Sequence, residues 1–246
     1  MAKPRAHLRN APIVEAIIDF RVLPRADIGA EAFAEIASAI GYPYIRTNLL
    51  QSVEARFGLN HGEWTGSPPI QSAIGWVYTK DGAVGQFRVD GFTFSKLEPY
   101  TDWKQVFSEA LRLWQVYFQI ARPLEVSRLA VRYINRLKVP GPTNLGLYLE
   151  APPLLPPPIP QTLREFLSRV VVEDNVSNTS AVLVQALEAS LDPSVIPLYL
   201  DIDAFRRVSL PHPTDPSLSE MFEQLRSLKN RIFFASVTER TVEMYE

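Results

Sequence analysis

Polar and apolar positions alternate from Ile13 to Val22, with Ile13 and Ile17 as the apolar members of the polar side. Val14, Ala16, Ile18, Phe20 and Val22 fall on one side, while Glu15, Asp19 and Arg21 dominate the other. A period of two marks a half-buried strand, and Pro24 ends it. The period then lengthens. Ile28, Phe33, Ile36, Ala37 and Ile40 recur at helical spacing, with Gly41 where a C-terminal cap belongs, so a helix is predicted over 28–40. Alternation returns from Leu49 to Leu59, with Val53, Ala55, Phe57 and Leu59 as the inward set and Glu54 and Arg56 as the outward set. Asn60 to Pro69 reads as a loop. Two apolar runs, Ala73–Thr79 and Val84–Leu97, flank Lys80-Asp81-Gly82. Asp-Gly at that place predicts a hairpin, because both residues tolerate positive φ. Asp102 then opens a helix, with Gln105 at the capping-box position. Trp103, Val106, Phe107, Ala110, Leu113, Trp114, Tyr117, Phe118 and Ala121 form its broad apolar stripe.

The same order is predicted again further along. Val126 to Val139 is a strand with Leu129, Val131, Tyr133, Leu137 and Val139 on one face and Arg128, Arg132, Arg136 and Lys138 on the other. A short helix over Thr143–Leu149 is expected, then a stiff connection in which Pro152, Pro153, Pro156, Pro157, Pro158 and Pro160 forbid regular structure. Leu163–Val172 and Ser180–Ala189 pair around Asp174-Asn175, and Pro197–Arg207 is the last strand. Ser217 and Glu220 form a capping box before Leu218, Met221, Phe222, Leu225 and Leu228. The fold class expected is α+β: duplicated β-α-β-β-β-α units, 13–121 and 125–231, forming one curved antiparallel sheet with helices packed on one face. Residues 232–246 are expected as a C-terminal tail docked at an edge. Ala121-Arg122-Pro123 is too short for a free linker, so a single domain is expected.

Composition narrows the chemistry. The 246 residues are 46% hydrophobic and 21% charged, with net charge −2, which gives no global field for nucleic acid or acidic lipid. The chain has no cysteine, which excludes disulfides, thiolate metal sites and thiol nucleophiles. The longest N-terminal apolar run, Ala11 to Ile18, is interrupted by Glu15 and reads as neither signal peptide nor membrane span. A cytoplasmic location is expected. The histidines, His7, His61 and His212, sit in loop-like segments without an acidic partner at a fixed local spacing. There is no phosphate-cradling glycine loop, nucleophile elbow, zinc-protease pair or EF-hand, so the enzyme reading is disfavoured and no cofactor is expected.

Three features bear on binding. Arg128, Arg132, Arg136 and Lys138 on alternate positions of one strand lie about 6.5–7 Å apart, close to phosphate spacing. With Arg88 they are candidate partner-binding residues for an anionic protein or nucleic acid. If the neighbouring strands bring up Glu15, Asp19, Glu54, Asp90 and Asp201, however, the stripe is a salted, ion-paired surface. Asp201 and Asp203 share a face and are weak candidates for a hard cation, which would make a metal-dependent hydrolase or nuclease the alternative. An apolar-ligand pocket under Trp103 and Trp114 is a further alternative, with core packing as the ordinary role of those rings. Asn135, on an otherwise apolar face, is expected to bridge backbone groups.

Four segments together carry a resemblance: Asn10-Ala11-Pro12-Ile13-Val14-Glu15-Ala16-Ile17, Leu97-Glu98-Pro99-Tyr100-Thr101-Asp102-Trp103, Arg132-Tyr133-Ile134-Asn135-Arg136, and Lys229-Asn230-Arg231-Ile232-Phe233-Phe234-Ala235-Ser236-Val237-Thr238-Glu239. In this order they resemble a sporadically distributed family of prokaryotic proteins with no assigned activity. The resemblance implies a free-standing protein carried on mobile or defence-type loci, and it brings no catalytic residues. At fold level the duplicated order resembles the saddle of TATA-binding-like proteins, in architecture only.

Overall fold

The structure is a computed structural model that describes residues 8–41, 43–55, 57–60, 63–141, 144–161, 163–188, 192, 194–211 and 216–246, with the backbone alone at 57–60 and 63–65. All three histidines lie outside the described residues. One open antiparallel sheet of nine strands dominates, in the order β2-β5-β6-β7-β1-β8-β11-β10-β9. Its strands are β1 (Ile13–Leu23), β2 (Ile45–Glu54), β5 (Ile70–Lys80), β6 (Ala83–Arg88), β7 (Gly91–Leu97), β8 (Glu125–Pro140), β9 (Phe166–Asp174), β10 (Thr179–Leu187) and β11 (Val195–Leu210). β3 (Phe57–Asn60), at the end of the expected second strand, and β4 (Glu63–Gly66), inside the expected loop, form a separate hairpin. The helices are α1 (Ala37–Ile40), α2 (Trp103–Ala121), α3 (Ser217–Ser236) and α4 (Glu239–Glu243). No helix among the described residues is long and apolar enough to cross a membrane.

Local chemistry accounts for most boundaries. Asp81 (φ 37) and Gly82 (φ 72) take the two left-handed positions of the turn between β5 and β6. The Asp102 carboxylate accepts from the Gln105 N–H at 3.0 Å and caps α2. The Val84–Leu97 run is two strands rather than one, folded back at Val89-Asp90 so that Arg88 lies opposite Gly91. The predicted 28–40 helix is also divided, into a 3-10 turn at Ala30–Phe33 and α1. The Tyr78 hydroxyl donates to the Phe33 and Ala34 carbonyls, both at 2.8 Å, and Arg46 Nη1 also donates to Ala34 O. These carbonyls would otherwise serve a continuous helix. The apolar stripe survives the break, with Phe33, Ile36 and Ile40 all buried.

Other boundaries differ as well. The helix expected over 143–149 is a 3-10 turn at Leu145–Leu147, held by Asn144 Oδ1 on the Gly146 N–H. Ser217 is the first residue of α3 and Pro216 stands at the cap position. Of the expected inward set of the second strand, Val53 and Ala55 are exposed, and the Phe57 and Leu59 side chains lie outside the described residues. Val53 is 59% exposed, and β2 is exposed on nearly all positions, as an edge strand with β5 as its neighbour in the sheet. The tail is helical: α3 runs on to Ser236, and α4 follows with Thr238 as its cap. The end of the chain is tied down by Thr241 Oγ1 on Tyr148 O, by a Leu149–Val237 bridge, and by Asn10 N on Tyr245 O.

The main core gathers around Phe20. Its ring stacks on Trp114 of α2 (centroids 4.1 Å) and lies 5.1 Å from Phe222 of α3. Phe87, Phe92 and Tyr117 complete the aromatic cluster. A second cluster is built from Leu137, Leu198, Leu200, Tyr148, Phe233 and Val242. At roughly 2 kcal/mol for each large side chain buried, these clusters dominate stability.

Candidate functional site

β8 pairs with β1 on one side and β11 on the other. Its alternation buries Leu129, Val131, Tyr133, Leu137 and Val139 and presents Arg128, Arg132, Arg136 and Lys138 on the opposite face. The neighbouring strands bring carboxylates to three of the predicted arginines. Arg132 makes two bonds to Asp201, at 2.8 and 2.6 Å. Arg128 bridges Asp19 on β1 (3.2 Å) and Asp203 on β11 (2.8 Å), with its guanidinium 4.7 Å over the Phe205 ring. Arg88, only 6% exposed, donates to Asp90, Gln86 and Thr93, with Asp19 at 3.5 Å. Thr93 donates to Asp19 at 2.6 Å. Asp19 is thus the hub of a network spanning β6, β7, β1, β8 and β11. Asp201 beside Arg132 holds that guanidinium further above its ordinary range. Burial pushes the Asp203 carboxyl up, against the pull of Arg128. Each aspartate of the Asp201/Asp203 pair therefore faces an arginine. Among the described residues no group of three or more His, Asp or Glu is arranged to hold a metal ion.

The last two positions of the stripe differ. Among the described residues Arg136 meets only Glu98, at 3.4 and 3.5 Å, and Glu98 is itself exposed. Lys138 has no ion-pair partner among the described residues; its backbone N–H donates to the Tyr245 hydroxyl oxygen at 3.0 Å. Both line a groove of about 530 Å³ together with Arg9, Glu98, Tyr100 and Tyr245.

Beside this groove lies a second cavity, about 150 Å³, which the sequence reading did not single out. Pro12, Tyr100, Tyr133, Asn135, Lys229 and Phe234 are on its wall, so each of the four resemblance segments contributes to it. The Tyr100 and Tyr133 hydroxyls are 3.0 Å apart, and burial pushes both phenols up. Lys229 is 7% exposed, with Nζ 3.6 Å from the centre of the Tyr133 ring. One signal for it was present in the sequence. Leu218, Phe222, Leu225, Lys229 and Phe233 follow the buried helical spacing, so a lysine occupies a core position of α3. Asn135 bridges backbone as expected, donating to the Tyr133 and Leu200 carbonyls at 3.3 and 2.9 Å. The Trp114 ring is taken up by Phe20 and Tyr117, and Trp103 stacks on Phe107 while its Nε1–H donates to Glu223. Both tryptophans pack as core residues.

No protein-family model matches this chain, and no curated protein matches it significantly.

Proposed function

We propose that the protein is a cytoplasmic, non-enzymatic binding or regulatory module that meets an anionic partner at one end of its basic stripe. The observation that carries this reading is the contrast along β8. Arg88, Arg128 and Arg132 have their charge matched inside the sheet, whereas Arg136 and Lys138, with Arg9, edge an open groove. Arg88 is buried and Arg128 half-buried, so breaking either out of the network costs several kcal/mol, while the more exposed Arg132 is held by two short bonds to Asp201. The loosely held pair at the end has no such penalty to overcome. An acidic protein segment suits the groove better than nucleic acid. Phe205, the aromatic beside Arg128, already stacks on that guanidinium, and net charge is slightly negative.

The architecture belongs to the same proposal. We read the molecule as two pseudo-equivalent halves joined at the β1–β8 pair, with both long helices on one face. The strand order supports this: β7, β6 and β5 run outward from β1 as β11, β10 and β9 run outward from β8, and a long helix closes each series. Contact of Phe20 with both Trp114 and Phe222 supports a shared helical face. The first half carries β2 and the β3–β4 hairpin in addition. The family resemblance, with its implied mobile or defence-type setting, stands within this reading.

The test is a fluorescent acidic peptide, for example oligo-glutamate, titrated at low and high salt. Arg136→Glu with Lys138→Glu is expected to weaken binding at least tenfold. Exchanging the Arg132 and Asp201 side chains, which preserves their pairing, is expected to leave it unchanged. Equal binding by the groove double variant and the wild type would remove this reading.

A further inference from the structure

The cavity at Lys229 has a composition that the rest of the molecule does not explain. A buried ammonium is ordinarily paired with a carboxylate or surrounded by acceptors. Lys229 Nζ has the face of Tyr133 and, among the described residues, no hydrogen-bond acceptor or carboxylate. The charge acting on it from its own helix is Arg226, of the same sign. The carboxylate nearest in sequence, Glu223, is engaged by Trp103 and Arg226. Burial and Arg226 together push the amine down to about 7.

The tyrosines point to the same kind of occupant. Between two hydroxyls 3.0 Å apart only one proton is shared, so the second O–H is free to donate elsewhere. The Asn135 amide hydrogens are already spent on carbonyls. The polar part of the cavity wall therefore offers the Lys229 amine, a tyrosine hydroxyl and the Arg226 guanidinium as donors, with Asn135 and Asn230 as the amides beside them, while Phe233, Phe234, Ile13 and Leu8 supply apolar walls. A space near 150 Å³ is about what a benzene-sized molecule fills.

We propose that this cavity is a binding site for a small amphipathic monocarboxylate, its carboxylate held by Lys229 and the Tyr100–Tyr133 hydroxyl pair and its apolar body against Phe233 and Phe234. The anion supplies the counter-charge that Lys229 lacks, and on binding the amine takes up a proton and stays charged. The site adjoins the Arg136/Lys138 groove, and the two share Leu8, Ala11, Pro12, Ile13 and Tyr100 on their walls, but neither Arg136 nor Lys138 lines the cavity and Lys229 does not line the groove.

Benzoate and acetate are the probes, titrated by calorimetry and by thermal shift against matched sodium chloride. Saturable benzoate binding with a rise in Tm is expected, with acetate weaker because it leaves the apolar wall unfilled. Lys229→Met is expected to abolish the response, and Tyr133→Phe to weaken it at least tenfold. Arg136→Glu with Lys138→Glu is expected to leave it intact, which separates this site from the groove. Methionine fills the lysine stem's volume without its charge, so the Lys229→Met protein is expected to fold, and its unligated Tm checks this. No saturable benzoate binding at about 10 mM, undiminished binding by Lys229→Met, or loss confined to the groove variant would each overturn the proposal.

Discussion

Lys229 shows how one residue's surroundings reset its chemistry. On an exposed helix face it would titrate near 10.5, whereas buried over Tyr133 it is pushed down to about 7. Between those pH values the unfolded chain holds a proton that the folded protein has released. Stability therefore rises with pH through this window, and the cost of the buried charge is fully present below about 7. Lys229→Met removes that cost. The variant is expected to be more stable than the parent at pH 6, by about 2 kcal/mol, and the gain is expected to shrink toward pH 9. Chemical denaturation at the two pH values checks this, and a gain independent of pH would contradict it. The arginines illustrate the reverse case. Their type and spacing are equally suited to holding a partner and to pairing within the sheet. Only the registers of β1 and β11 against β8, which bring Asp19, Asp201 and Asp203 within reach, assign Arg128 and Arg132 to the second role.

At the scale of elements, the edge strands carry the exposed apolar surface. β9 ends the sheet with β10 as its one strand neighbour, and Leu167, Val170, Val171 and Val172 are all exposed. An apolar edge with unpaired backbone groups is a template for strand addition. Val171→Lys is expected to change stability by less than about 0.5 kcal/mol and to suppress light scattering on heating. Unchanged aggregation would place the sticky surface elsewhere, for example at the other edge, where Ile45, Val53 and Ile70 are exposed. The long helices behave differently. α2 was fully legible from its 3.6-residue period and cap, because one strongly amphipathic element carries its own signal. The 28–40 segment was not, because the groups that interrupt it, Tyr78 and Arg46, come from β5 and β2.

For the whole molecule, the β1–β8 pair and the Phe20 cluster tie the first and second series of strands together. Unfolding is therefore expected as a single calorimetric transition. Phe20→Ala should cost about 3–5 kcal/mol and lower that one Tm without splitting it. Two resolved transitions would mean that the two strand series are separately cooperative. The Phe20→Ala protein, followed by calorimetry, is the sharper measurement, since it weakens the shared contact directly.

The amino-acid pattern by itself settled which residues face inward on β1, β8 and α2, where the Asp81-Gly82 turn falls, and that Asn135 needed internal partners. These follow from local periodicity and local hydrogen bonding, which a neighbour in sequence can satisfy. The tertiary structure alone decided that Arg128 and Arg132 of the stripe, and Arg88 on β6, are neutralised while the stripe's end edges a groove, that β2 is an exposed edge strand, and that Lys229, Tyr100 and Tyr133 meet around one cavity. Each of these depends on groups far apart in the chain, and a charge or hydroxyl takes its meaning from what stands within about 4 Å of it. That distance is fixed by register and packing.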